Sequence, residues 1–129
     1  MVATPLSLAA IAVGATLGAW LRWALSLWLN TRVESLPLGT LAANLIGGFL
    51  VGVAVGFFND LPELPPAWRL LVITGFLGGL TTFSTFSAEA MVLLQRGDYG
   101  WALLHAGGHL LGSVTLCIAG VATWRAFHP

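Results

Sequence analysis

The sequence contains no lysine, and its five arginines are matched by five acidic residues, so the formal net charge is zero. Without a basic excess there is no electrostatic footprint for nucleic acid, and no nucleic-acid partner is expected. Charged residues make up 8% of the chain, where a soluble domain carries about a quarter. So few charges cannot keep a surface wet, and with 57% hydrophobic residues and a mean hydropathy of +0.89 most of the surface must face lipid. Cysteine occurs once, at Cys117, which excludes an intramolecular disulfide; in its apolar run it reads as a small buried residue. There is no phosphate-binding GxxxxGK[ST] motif and no visible nucleophile–base set, so neither a nucleotide-driven pump nor an enzyme is expected. The apolar N-terminal stretch lacks a basic leader and outruns a signal-peptide core, so it reads as a retained helix.

What is present is four long apolar runs, from about Leu6 to Leu29, Leu38 to Phe58, Trp68 to Leu94 and Trp101 to Phe127. The segments between them, NTRVESLP, NDLPELPP and QRGDYG, carry turn and helix-breaking residues. Crossing ~30 Å of hydrocarbon takes ~20 helical residues, and each run is long enough. The reading is an all-α integral membrane protein: one four-helix transmembrane domain over residues 1–129, both termini on one side. Arg69 and Arg125 flank the spans on the terminal side; Arg32 and Arg96 flank them on the other, with Arg22 inside the first run near that end. Arginine bias usually sets orientation, and here it is nearly tied. A single fixed orientation is the commoner state, but the tie is what a chain inserting both ways would show, and it predicts an antiparallel dimer. Glycines at small-xxx-small spacing (Gly14 and Gly18; Gly48, Gly52 and Gly56; Gly108 and Gly112) suit close helix packing in lipid.

The third run is interrupted in chemistry. Gly75, Gly78 and Gly79 are followed by the hydroxyls of Thr81, Thr82, Ser84 and Thr85, a poor composition for a mid-membrane helix. A break there frees carbonyls, tolerated at membrane depth only when buried in protein, lining water or bound. Ion sites in transporters sit at such breaks, but a glycine-rich packing contact has the same composition. Phe83 and Phe86 follow at i, i+3 and share a face; they are either filler or rings whose positive edges meet a small anion. Thr40, Asn44 and Gly48 lie on one face of the second run, where Asn44 offers either a helix–helix hydrogen bond or two donors to a path. Arg22 and Glu89 are charges within spans and thus functional candidates, as a mutual pair or with Glu89 capping a polar vestibule; Arg22 can also snorkel. His105, His109, Ser113 and Cys117 recur at i+4 along the fourth run. Two histidines at that spacing can begin a metal site, but no carboxylate or second cysteine supplies a clear remaining set, and a polar stripe facing a pore or a helix is the expectation.

The segments GTLAANLIG (from Gly39) and GFLGGLTTFSTF (from Gly75), with GATLGAWLRW ending at Arg22-Trp23, resemble the signature segments of the CrcB/Fluc fluoride channels, and the resemblance covers essentially the whole chain. It implies a fluoride-selective passive channel that exports fluoride from the cytoplasm across the cell inner membrane, as a dual-topology antiparallel homodimer with two pores. It also implies a central structural sodium ion on the main-chain carbonyls of Gly78 and Thr81, an aromatic box of Phe83 and Phe86, and Asn44 as a pore donor. Ser84, Thr85, Ser113 and His105 are implied as further path residues, with Arg22, Thr40 and Glu89 in structural or vestibule roles. His105 and His109 depart from the family pattern, and His109 receives no role. Two rival readings remain: a proton-coupled exporter of the four-helix drug-efflux type, whose only span carboxylate would be Glu89, and an assembly partner without transport.

Overall fold

The structure, a computed structural model, describes residues 3–129, and every regular element among them is helical. Helix α1 (Pro5–Leu29) opens with Pro5, whose missing N–H costs nothing in a first turn. Thr4 caps it, Oγ1 accepting from the Ser7 amide at 3.1 Å. Helix α2 (Leu38–Asp60) borrows its cap from the preceding helix: Asn30 Oδ1 accepts from the amides of Gly39 (2.7 Å) and Thr40 (3.2 Å). Gly39 is required there, because a Cβ would sit 2.5 Å from the Leu25 carbonyl oxygen and 2.7 Å from that same Asn30 oxygen.

The third span, Pro66–Gln95, is two helices. We call residues 66–80 α3 and Phe83–Gln95 α4. The middle of α3, Leu70–Leu77, is wound as a π-helix, and the Gly78 amide still reaches back to the Ile73 carbonyl. The chain then turns extended at Thr81 (φ −85°, ψ 153°) and Thr82 (φ −151°, ψ 116°) before α4 begins. The interruption therefore falls on the two threonines. The glycines before it remain helical and serve packing: Gly75 and Gly79 lie against the backbone of α1 at Gly14 and Ala15. Helix α5 (Tyr99–Phe127) follows a tight turn in which Gly97 takes φ +77°, a conformation that favours glycine.

All four spans are long and apolar enough to cross a membrane, and the chain is a multi-pass membrane protein. The broadest pairings are α2 with α5 and α1 with α3. Both are seams of small residues, as expected where lipid removes the hydrophobic drive and close backbone approach must replace it. A Cβ at Gly14 or Gly18 would run into the Leu71 or Phe76 carbonyl oxygen, and one at Gly52 or Gly120 into that of Cys117 or Phe49. Gly108 has more room, with only a Leu41 methyl 3.7 Å away. Cys117, expected to be buried, is only half-buried on the α5 face that meets Gly52. Outside the seams the surface is leucine, tryptophan and valine, the composition that lipid requires.

Candidate functional site

The broken span, α2 and α5 enclose an open groove of about 430 Å³, whose wall includes Asn44, Thr81, Phe83, Phe86, His109 and Ser113. Thr81, Phe83 and Phe86 come from the broken span, Asn44 from α2, and His109 and Ser113 from α5. A continuing α-helix would bring the Thr82 amide to the Gly78 carbonyl and the Thr85 amide to the Thr81 carbonyl. Both donors are diverted to side chains. The Thr82 amide donates to Asn44 Oδ1 at 2.7 Å, and the Thr85 amide to Thr82 Oγ1 at 3.1 Å, the cap of α4. The carbonyl end of α3 and the amide end of α4 thus lie side by side, presenting partial charges of opposite sign.

Asn44 fastens this geometry. Besides accepting from Thr82, its Nδ2 donates to the Thr82 carbonyl at 3.0 Å and to His109 Nδ1 at 2.9 Å. The paired bonds to Thr82 fix which end of the amide is which, so His109 Nδ1 is the acceptor and its proton lies on Nε2. Both N–H groups of Asn44, the residue that the resemblance implied as a pore donor, are therefore engaged within the chain. Arg22 donates from Nε to the Gly79 carbonyl at 3.1 Å, a cation at the negative end of α3. It does not pair with Glu89. That carboxylate turns to α2 and α5 instead, accepting from Thr40 Oγ1 at 2.7 Å and lying 3.5 Å from His105 Nε2.

The aromatic residues meet as their spacing predicts. The rings of Phe83 and Phe86 are 5.5 Å apart. Phe86 also packs on His105 (5.1 Å) and His109 (4.7 Å), while Phe83 is 79% exposed and has open space over it within one chain. Ser84 Oγ stands 3.2 Å from Thr82 Oγ1 on the exposed side, and Ser113 sits on the α5 wall with its carbonyl against Gly48. Gly78 is exposed and Thr81 half-buried, at the end of α3.

Two features were missed in the sequence. The first is His109, buried at 6% exposure and bonded to Asn44; its signal was the i+4 step from His105. The second corrects the statement that no carboxylate accompanies the histidines. Glu89, remote in sequence, is brought by α4 to within 4.8 Å of both.

A family described as "CrcB-like protein, Camphor Resistance (CrcB)" matches residues 9–121. This chain belongs to that family. Among proteins similar to this CrcB-like chain, one from Cupriavidus pinatubonensis is 61% identical over 94% of the chain and 96% of its own length. Another, from Ralstonia pickettii, is 60% identical over 92% and 94%, and one from Nitrosomonas europaea 59% over 88% and 90%. All three are named "Fluoride-specific ion channel FluC", a function that is not enzymatic. The match spans the whole of the groove, from Asn44 in α2 to Val114 in α5.

Proposed function

We propose that this CrcB-like protein is a fluoride-selective passive channel of the bacterial inner membrane, through which fluoride leaves the cytoplasm. The observation that carries the reading is the groove beside the broken third span, where a helix N-terminus, an aromatic pair and hydroxyls converge. The relatives named as fluoride channels support it. Fluoride is small and strongly hydrated, so several weak donors must replace its water together. The first amides of α4 have no helical acceptor and carry partial positive charge. The edges of Phe83 and Phe86 add more, and the hydroxyls of Ser84, Thr85 and Ser113 supply donors along the path. His105 lies behind Phe86 and supports that ring. Asn44 holds the wall, and its N–H reaches the ion by exchange from His109. Contacts that are individually weak let the ion leave as well as enter.

In the same reading the whole chain is one transmembrane domain that assembles as an antiparallel dual-topology homodimer with two pores. The exposure of Phe83 and Gly78 on a single chain suits a second copy lying over them. A sodium ion would be held by the carbonyls of Gly78 and Thr81. They fit a hard cation, because the amides that would have bonded to them are committed to Asn44 and Thr82. Bound, it would supply a fixed positive potential at the subunit contact. Arg22 ties the end of α3 through Gly79, and Thr40 holds Glu89 at the margin of the groove.

The test is efflux from liposomes holding the purified protein, with fluoride and chloride measured in parallel. Passive fluoride release without chloride release is expected. Fluoride movement only under an imposed proton gradient would overturn the reading in favour of the coupled exporter, and no flux from folded protein would leave the assembly partner.

A further inference from the structure

Glu89, His105 and His109 place three metal-ligating side chains of α4 and α5 in one buried spot. We infer that they form a site for a divalent first-row transition cation of the zinc class, the ligands being Glu89 Oε1, a ring nitrogen of His105 and His109 Nε2. Candidate ligand atoms of the three residues all lie within 4.8 Å of one another. Tetrahedral bonds of 2.0–2.1 Å place ligand atoms about 3.3 Å apart. The edge between Glu89 Oε1 and His105 Nε2, at 3.5 Å, is already near that value. For the candidate atoms of the other pairs, the gap to that value is about 1.5 Å at most.

Burial makes the spot unusual. His105 is 1% exposed and His109 6%. Among the described residues, Glu89 Oε1, both ring nitrogens of His105 and His109 Nε2 are buried without a hydrogen-bond partner. Buried polar atoms are nearly always partnered, and four such atoms together point to a shared occupant. Two imidazoles and one carboxylate are a donor set that zinc-class cations favour and that magnesium or calcium does not. The carboxylate supplies negative charge, and Thr40 Oγ1 on Glu89 Oε2 orients it while leaving Oε1 free. The groove reaches the site, because His109 and Phe86 line it.

Binding has a structural consequence. The Asn44 bond places the proton of His109 on Nε2, so coordination there moves it to Nδ1. The ring stays neutral, and the Asn44–His109 hydrogen bond is exchanged for a coordinate bond. A further consequence rests on the fluoride-path reading. A divalent cation behind Phe86 binds fluoride too firmly for release, so an occupied site slows conduction.

Co2+ added to the purified, detergent-solubilised full chain is the probe. A visible ligand-field band of tetrahedral type, displaced by Zn2+ but not by Mg2+, is expected. Glu89→Gln, His105→Gln and His109→Gln should each weaken Co2+ binding roughly tenfold or more. His128→Gln, at the exposed end of α5, should leave it unchanged. His109→Cys guards against simple misfolding, since it keeps a ligand and should move the band to lower energy with thiolate character. No band, a band that survives in the double His105→Gln/His109→Gln variant, or a band lost with His128→Gln would overturn the site and leave a water-filled polar pocket or a terminal histidine. The band does not depend on transport, so its absence is distinct from failure of the channel reading. If both hold, micromolar Zn2+ slows fluoride efflux and a chelator restores it.

Discussion

Asn44 serves three partners with one amide, and Thr82 depends on it for both of its backbone groups. Replacing it by alanine leaves an amide and a carbonyl at membrane depth without partners, a loss of about 1–3 kcal/mol. Asn44→Ala should therefore lower the thermal midpoint in detergent and reduce fluoride flux together. Asn44→Asp separates the two bonds: the carboxylate still accepts from the Thr82 amide, but it faces the Thr82 carbonyl with no donor. If the clamp on Thr82 is the point, Asp should be little better than Ala; recovery by Asp to wild-type stability would show that only the accepted bond matters. The aromatic pair gives a second prediction. Phe86→Ile removes positive ring edges, the stack on His105 and the tilted contact with His109, and Phe83→Ile removes edges alone. Both should cut fluoride efflux while the protein still elutes as a folded species; unchanged efflux in both would remove the aromatic box. The Phe83–Phe86 face was legible because i, i+3 spacing fixes it. The grip of Asn44 on Thr82 was not, because it joins residues of two spans through backbone groups that side-chain patterns do not reveal.

The helices meet through glycine wherever one backbone must touch another. Where α1 crosses α3, a methyl on Gly18 would overlap the Phe76 carbonyl oxygen and lie 2.8 Å from the Leu80 amide nitrogen; where α2 crosses α5, one on Gly52 would overlap the Cys117 carbonyl oxygen. These neighbours are backbone, so a helix as a whole has to move. Gly18→Ala and Gly52→Ala should each destabilise the fold by about 1–3 kcal/mol, the cost of overpacking. Gly100→Ala, with nothing within 4 Å, should be neutral or slightly stabilising. Equal thermal midpoints for all three would mean that the seams are looser than the geometry requires. The rows Gly14/Gly18 and Gly48/Gly52/Gly56 were readable as packing faces from spacing alone, whereas Gly120 was missed because it stands outside any small-xxx-small row. The four spans were equally plain, since length and apolarity decide them. The π-wound stretch of α3 was not, because a run of mostly apolar residues reads the same in either winding. Nor could composition separate the glycines from the threonines as the point of interruption; the helix breaks at the threonines because the amides of Thr82 and Thr85 find side-chain oxygens to bond with.

For the molecule as a whole, the near-tie of flanking arginines is the property that a single folded chain neither uses nor explains. Arg32 and Arg96 flank the spans on one side, Arg69 and Arg125 on the other. If the functional unit is an antiparallel pair, the chain must insert in both orientations, and the tie is what permits it. Two biased variants test this. Lysines added to the turn between α1 and α2 should hold that turn, and the turn between α4 and α5, on the cytoplasmic side; lysines added beyond Arg125 should hold the termini there instead. Each variant alone then supplies one orientation only, and vesicles made from it should release little fluoride. Co-expression restores both orientations and should restore release. A fixed-orientation parallel assembly gives a different pattern: the variant matching the native orientation conducts alone, and the other adds nothing to it. The arrangement also bears on Phe83, whose outer face is bare in one chain. If the pair is antiparallel, a cysteine at position 83 should be shielded from a membrane-permeant thiol reagent in the co-expressed protein and open to it in either biased variant, with Cys117 replaced so that the added thiol is the only one in the chain.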